Sequence, residues 1–207
     1  MLLSELEIAE RMVSSDEAKR LVITPIVSAK NQFGPSSLDV RLGTEFALLE
    51  NINTSHLDTL ADKGNLQRCI EAYTRRVRIG PNQPFYLHPG EFVLASTLEF
   101  IKVPSDLAGR IEGRSSWGRV GLLVHATAGF VDPGFCGVLT FELLNAGKLP
   151  IALKPGLRIG QICFIRMSEA SRIPYESKKL TKYSGATGVQ PSKVVDDPEI
   201  GPVQIDA

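Results

Sequence analysis

The sequence predicts an all-β fold, a sandwich or a barrel with a few short helices, and three observations point there. Strand-like segments at 84–88, 92–97, 107–112, 138–144, 149–153 and 158–166 follow one another at short, fairly regular spacing. The phrase Leu-x-Pro-Gly-x-x-aliphatic occurs twice, as Leu87-His88-Pro89-Gly90-Glu91-Phe92-Val93 and as Leu153-Lys154-Pro155-Gly156-Leu157-Arg158-Ile159. Proline presets φ at the first central turn position and glycine accepts positive φ at the second, so each copy predicts a type II turn between strands. Finally, 138–144 alternates with period two. Leu139, Phe141 and Leu143 share one face, and Val138, Thr140, Glu142 and Leu144 share the other.

Taken in order, the elements begin with Ser4 and Glu7, which fit a capping box, while Leu3 and Ile8 occupy the two positions of a hydrophobic staple; a helix of about ten residues should start here. A second helix start is expected at Ser14-Ser15-Asp16-Glu17, before Val22-Ile23-Thr24-Pro25 turns extended. Leu38, Val40 and Leu42 alternate with Asp39 and Arg41, a half-buried strand expected to stop at Gly43. Residues 51–75 read as an insertion in the β scaffold. Leu66, Cys69, Ile70 and Tyr73 have helical spacing there, and Arg75-Arg76 closes it as a solvated edge in preference to a phosphate contact. Beyond Pro174 the chain becomes rich in Lys, Ser and Gly, and about 175–207 is expected to form a mobile arm on one domain spanning 1–207.

Composition narrows the function classes. Apolar residues make up 43% and charged residues 22%, which sets aside collagenous and wholly disordered readings. Lys plus Arg and Asp plus Glu both number 23, so the net charge of zero gives no sign of a nucleic-acid polymer as partner, and any anion site must be local. Cys69, Cys136 and Cys163 are odd in number and far apart, which suits free thiols in a reducing compartment, and no CxxC pair offers a zinc site. Acidic Glu5 and the lack of a long apolar stretch predict neither a secretory leader nor a membrane span, hence a soluble, cytoplasmic protein.

Chemistry concentrates in two stretches. In Glu112-Gly113-Arg114-Ser115-Ser116-Trp117-Gly118-Arg119-Val120-Gly121, one helical turn over 115–119 would put Ser115 and Arg119 on one face. That face suits a phosphate or another anion; the alternative is a capped surface turn with its arginines in water. The stretch matches neither a Walker A loop nor a dinucleotide fingerprint. The second stretch runs from His125 through Asp132-Pro133-Gly134, which locally reads as a turn, into the strand carrying Glu142. A carboxylate among apolar neighbours either has a partner or is pushed toward its neutral form, as general acid/base work requires, unless it simply faces solvent. His125 reads as a structural residue, and neither His88 nor His56 has a ligand-like companion. The His-x-Glu and Pro-Cys-x-x-Cys signature of zinc deaminases does not occur.

Together these residues resemble the dCTP deaminase family of the dUTPase-like superfamily. The match runs over Glu112-Gly113-Arg114-Ser115-Ser116-x-Gly118-Arg119, then His125-x-Thr127-Ala128-Gly129-Phe130-x-Asp132-Pro133-Gly134-Phe135-x-Gly137, then Glu142 and Asn145. Ser37-Leu38-Asp39-Val40-Arg41-Leu42-Gly43, Leu87-His88-Pro89-Gly90-Glu91 and Lys182-Tyr183 extend it over nearly the whole chain except 51–75. The resemblance implies a distorted β-barrel of the β-clip type, a homotrimer with active sites between subunits, and a dCTP or dUTP nucleotide bound with Mg²⁺ through its phosphates. It implies that Arg114, Ser115, Ser116, Trp117, Gly118 and Arg119 belong to the nucleotide site, that Asp132 reads the deoxyribose, and that Thr140, Phe141 and Glu142 line the base pocket. Gln161, Tyr175 and Lys182 are implied as further substrate contacts. In the implied reaction Glu142 takes a proton from the water that attacks cytosine C4 and returns it to the leaving ammonia. Ser115 and the Ala128 carbonyl hold that water, and Arg119 supports Glu142.

Gly129 and Phe130, after Thr127-Ala128, resemble the bifunctional members that continue to dUMP and pyrophosphate, whereas the best-known monofunctional members carry His-Arg there. Gln161 points the same way. The alternatives are a deaminase that releases dUTP, a dUTPase, and a nucleotide-sensing module without turnover. One position departs from the pattern: the family has Gln four residues after the Lys of Lys-Tyr, and this chain has Ala186.

Overall fold

Ser4 starts the first helix as its spacing from Glu7 predicts. Its hydroxyl accepts from the Glu7 N–H, and the Glu7 carboxylate accepts from the Ser4 N–H at 3.1 Å. The computed structural model describes residues 1–177 and 181–201, and 178–180 and 202–207 of the predicted arm lie outside the described residues. The helix, α1 (Glu5–Met12), buries Ile8 in the main core together with Leu3. Ser14-Ser15-Asp16-Glu17 forms a turn and not the expected second helix. The Ser14 hydroxyl accepts from the Asp16 N–H at 3.2 Å and the Asp16 carboxylate from the Ala18 N–H at 3.1 Å. Short polar side chains that satisfy nearby backbone donors compete with helix formation in this way.

The remaining described helices are α2 (Ala29–Gln32), α3 (Lys63–Tyr73) and α4 (Ser115–Gly118). The strands are β1 (Val22–Thr24), β2 (Leu38–Leu49), β3 (Thr74–Arg78), β4 (Phe85–Leu87), β5 (Phe92–Lys102), β6 (Leu107–Gly113), β7 (Leu122–Leu123), β8 (Phe130–Val131), β9 (Cys136–Asn145), β10 (Ile151–Leu153) and β11 (Arg158–Arg166). Every strand segment expected between 84 and 166 is present. The main sheet runs β7-β9-β5-β2-β11-β6-β8, with β1 added to β5 and β3 added to β2. It curls around the core, as the distorted barrel expected from the sequence does.

The repeated Pro-Gly phrase is visible in the architecture. His88 accepts from the Glu91 N–H at 3.0 Å and Lys154 from the Leu157 N–H at 3.2 Å, while Gly90 and Gly156 take φ of 76° and 87°. The strands entering the two turns, β4 and β10, pair with each other. The strands leaving them, β5 and β11, lie on either side of β2. The internal similarity of the sequence thus becomes an approximate symmetry of the sheet.

Strand β2 does not stop at Gly43 as expected; it continues to Leu49. A Cβ at Gly43 would lie 2.9 Å from the carbonyl oxygens of both Ser96 and Thr97. The register of β2 on β5 shifts between Leu42 and Phe46, and β2 exchanges its pairing with β11 for pairing with β3 over the same stretch. The glycine therefore lets a long strand bend close against its neighbour and cross from one half of the sheet to the other. Gly43→Val should lower stability by about 1–3 kcal/mol, the scale of an overpacked interior site, and a chemical denaturation midpoint checks it.

The core cluster is drawn from every major strand, with Leu38, Val40, Leu42 and Phe46 of β2 and Leu139, Phe141 and Leu143 of β9 at its centre. Within it sits a charged pair. Glu99 is fully buried and accepts from the Arg41 N–H at 2.8 Å, from Arg41 Nη1 at 3.2 Å and from Gln32 Nε2 at 3.2 Å. Burial pushes the Glu99 carboxyl up from its ordinary value, against the pull of Arg41.

The 51–75 segment contains the expected helical face, since α3 starts at the Asp62 cap and buries Leu66 and Ile70. These two do not join the main core. They pack on Val195, with Val194 and Ile200 beside it, in the 3-10 turn Val194–Asp196 and its flank. Two bonds tie the same stretches together, Lys63 Nζ to the Asp197 carbonyl at 2.9 Å and the Gly201 N–H to the Thr59 carbonyl at 3.1 Å. Arg75 and Arg76 are exposed on β3, the solvated edge the sequence suggests. Cys69, Cys136 and Cys163 are free, and burial raises the thiols of the latter two. No described helix is long and apolar enough to cross a membrane.

Candidate functional site

The alternation of β9 decides which of its side chains meet a cavity and which the core. Its buried face holds Leu139, Phe141 and Leu143 in the core, and its half-buried face presents Val138, Thr140 and Glu142 to a cavity of about 480 Å³. Opposite them stand Ala128, Phe130 and Asp132. Leu94 of β5, Leu49 of β2 and Ile70 and Tyr73 of α3 complete an apolar side, and Tyr175, Tyr183, Ala186 and residues 190–192 close it from the C-terminal segment.

Glu142 has a partner, so the sequence alternatives narrow to a held carboxylate. Its Oε2 accepts from the Ala126 N–H at 2.9 Å and the Thr127 N–H at 3.2 Å, while Oε1 has no hydrogen bond among the described residues. One oxygen is fixed by backbone donors and the other is left for whatever enters the cavity. Asp132-Pro133-Gly134 is the turn the local reading expects, closed by the Phe135 N–H on the Asp132 carbonyl at 3.1 Å with Gly134 at φ 82°, and it also sets Asp132 in the cavity wall. His125 does not line the cavity. Its Nδ1 is buried without a hydrogen bond among the described residues, and its Nε2 lies 3.7 Å from Glu112.

A second, polar pocket of about 350 Å³ collects Arg114, Ser115, Ser116 and Gln161 with Ser37, Asp39 and Arg158. Residues 115–119 form the helical turn expected, the Arg119 N–H donating to the Ser115 carbonyl at 3.0 Å. Asp39 Oδ2 pairs with Arg114 Nε at 3.1 Å and with Arg158 Nη1 at 2.9 Å. Gln161 Oε1 accepts from the Ser37 hydroxyl at 2.9 Å, and Trp117 Nε1 donates to the Arg158 carbonyl at 2.9 Å.

Within one chain, then, the residues singled out by sequence fall into two groups. Ala128, Phe130, Asp132, Thr140, Glu142 and Tyr175 share the apolar cavity, and Arg114, Ser115, Ser116 and Gln161 share the polar pocket. Arg119 and Gly118 are exposed outside both, and Gly129 is buried, its carbonyl accepting from the Ile111 N–H at 2.7 Å. The Phe141 ring lies wholly in the core, so its backbone is what remains for the cavity. Lys182 binds Asp197 at 2.5 Å, and that hydrogen bond raises its pKa. The Ala186 backbone extends the edge of β9, taking the Val138 N–H at 2.8 Å, beside a Gly137 that leaves no room for a side chain.

Sequence reasoning placed Tyr183 in the Lys182-Tyr183 match but gave it no role; its N–H donates to the Tyr175 hydroxyl at 3.2 Å. It read Asp39 as the polar side of a strand within the Ser37-to-Gly43 match and gave neither Asp39 nor Arg158 a place in the site, because their meeting depends on β2 and β11 pairing. No group of three or more His, Cys, Asp or Glu that could hold a metal ion occurs among the described residues.

Residues 2–167 match the family described as dCTP deaminase-like. Over 194 residues, 93% of this chain, it is 46% identical to a "dCTP deaminase, dUMP-forming" of Mycobacterium sp. (strain KMS) and 47% identical to one of Nocardioides sp. (strain ATCC BAA-499 / JS614), each covered to 95%. Among solved structures, the 2'-deoxycytidine 5'-triphosphate deaminase from Agrobacterium tumefaciens shares the fold, with a TM-score of 0.58 at 21% identity over 79% of this chain. The chain spans about half of that solved chain, 47%.

Proposed function

The chain belongs to the dCTP deaminase-like family, and on that premise we propose that it hydrolyses dCTP at cytosine C4 and carries the product on to dUMP and pyrophosphate. The observation that carries this reading is the held Glu142 carboxylate, one oxygen of which has no hydrogen bond among the described residues, in a largely apolar cavity lined also by Ala128, Asp132 and Thr140. In the reaction, water adds to C4 while Glu142 takes its proton. The C4–N bond then breaks as that proton passes to the leaving nitrogen, so dCTP and water give dUTP and ammonia. Ser115 and the Ala128 carbonyl hold the water, and Arg119 supports Glu142 and the developing charge. Asp132 contacts the deoxyribose, Thr140 and the Phe141 backbone the base, and Tyr175 and Lys182 belong to the closing segment.

A second water then displaces pyrophosphate at the α-phosphorus and leaves dUMP. Gly129 and Phe130 support that continuation, and the relatives named dUMP-forming share nearly half of their residues with this chain. Ser115 and Glu142 open onto different pockets of one chain. We therefore infer a homotrimer in which the polar pocket of one protomer meets the cavity of its neighbour, with Arg114, Ser116 and Gln161 on the phosphates and Ser115 beside the reacting base. Mg²⁺, bound through the nucleotide phosphates, would supply charge neutralisation of the triphosphate. The free thiols suit a cytoplasmic setting.

A time course of the purified protein with dCTP and Mg²⁺, resolving dUTP, dUMP, ammonia and pyrophosphate, tests the reading. Ammonia, dUMP and pyrophosphate should rise together while free dUTP stays low. Accumulating dUTP would leave the deamination and overturn the role given to Gly129 and Phe130; surviving dCTP would overturn both.

A further inference from the structure

Strands β2 and β11 pair antiparallel with Asp39 opposite Gln161, so side chains from both strands meet the loop of Arg114 and Ser115 at the mouth of the polar pocket. Asp39 is 14% exposed at its side chain, and one oxygen of it, Oδ2, gathers two guanidinium groups, those of Arg114 and Arg158. The same Nη1 of Arg158 that meets Asp39 also donates to the Asn31 carbonyl. The Arg158 carbonyl accepts from Arg114 Nη1 at 3.1 Å and from Trp117 Nε1. Two cations held on one carboxylate leave one net positive charge beside the hydroxyls of Ser115 and Ser116, and neither Nη2 has a hydrogen-bond partner among the described residues. Paired planar forks with donors left over match the several oxygens of a phosphate chain. An ordinary exposed ion pair would give none of this convergence and would contribute little.

We propose that Arg158 is a further phosphate-binding residue and that Asp39 is the positioning residue that sets Arg114 and Arg158 side by side. The proposal deepens the deaminase reading and rests on it for the identity of the ligand, a nucleoside triphosphate. Arg158 then acts on binding and not on the bond-breaking step, so its effect falls on KM.

The experiment measures calorimetric binding of inorganic tripolyphosphate, and ammonia release from dCTP, for the intact protein and for Arg158→Ala, Arg158→Lys and Asp39→Asn. Arg158→Ala should weaken tripolyphosphate about tenfold or more, the scale of a charge-assisted hydrogen bond. It should raise KM for dCTP by a similar factor, with kcat within about twofold, and Arg158→Lys should recover part of the loss. Asp39→Asn separates alignment from charge. It adds a positive charge to the pocket, so charge alone predicts tighter binding, whereas the positioning role predicts weaker binding. Tripolyphosphate binding that is unchanged in Arg158→Ala, or missing in the intact protein, overturns the role of Arg158; unchanged or tighter binding in Asp39→Asn overturns that of Asp39. Arg158-dependent binding in a protein that releases no ammonia would sustain the phosphate site and refute the deaminase reading, so the two fail separately.

Discussion

Glu142→Gln is expected to cut ammonia release from dCTP by about 10²–10⁴-fold, the usual contribution of a positioned general acid/base, while dCTP binding stays within a few-fold. Glutamine has the same shape, and its amide oxygen still accepts from the N–H groups of Ala126 and Thr127 that hold Glu142 Oε2. What it loses is the capacity to take a proton from water and return it to nitrogen. Single-turnover ammonia release and calorimetry on the same sample check the two halves of the expectation. Retained deamination would remove Glu142 from the mechanism, and lost binding would make it a contact to the base.

The largest stability effect is expected at Glu99. Removing it as Glu99→Ala leaves Arg41, itself buried, without its counter-charge and should cost about 3–5 kcal/mol by chemical denaturation. Replacing both, Arg41→Met with Glu99→Met, should cost much less, because the two desolvation penalties vanish along with their attraction. The pair also has a pH signature. Burial raises the folded-state pKa of Glu99 above its ordinary 4.5, so the folded chain binds this proton more tightly than the unfolded one. Its contribution to stability is greatest below 4.5 and declines as pH rises through the folded value. Glu99→Gln should therefore flatten the fall in stability with pH above 4.5.

What could be read from the sequence is what local spacing decides. The Ser4 cap, the two Pro-Gly turns and the alternation of β9 depend on residues within a few positions of one another, and all three stand as expected. Because alternation sets the face of Glu142, half of the candidate site could be read as well. Gly43 was misread because a glycine that ends a strand and one that bends it look alike until the neighbouring strand is known. The part of Asp39 and Arg158 in the polar pocket escaped for the same reason: they lie on strands whose pairing no short window encodes. Arg41 and Glu99 are hidden more thoroughly, since each alone reads as a surface charge on an alternating strand. Ser14-Ser15-Asp16-Glu17 carries the composition of a helix start, but its side chains satisfy the turn first.

The small apolar nucleus of Leu66, Ile70 and Val195 has no part in the main core, although it joins stretches far apart in the chain. Its opening free energy is therefore its own, below that of the barrel, and the two stretches form one cooperative unit in the sense of native-state hydrogen exchange. Amides of 63–73 and 194–201 should lose protection at a common rate, well before those of β9, and Leu66→Ala should speed both equally. Ile70 and Val194 also wall the cavity that holds Glu142, so each excursion of this unit removes part of that wall. The exchange rate of these amides becomes a clock for admission to the site, and a ceiling on turnover if nucleotide enters that way.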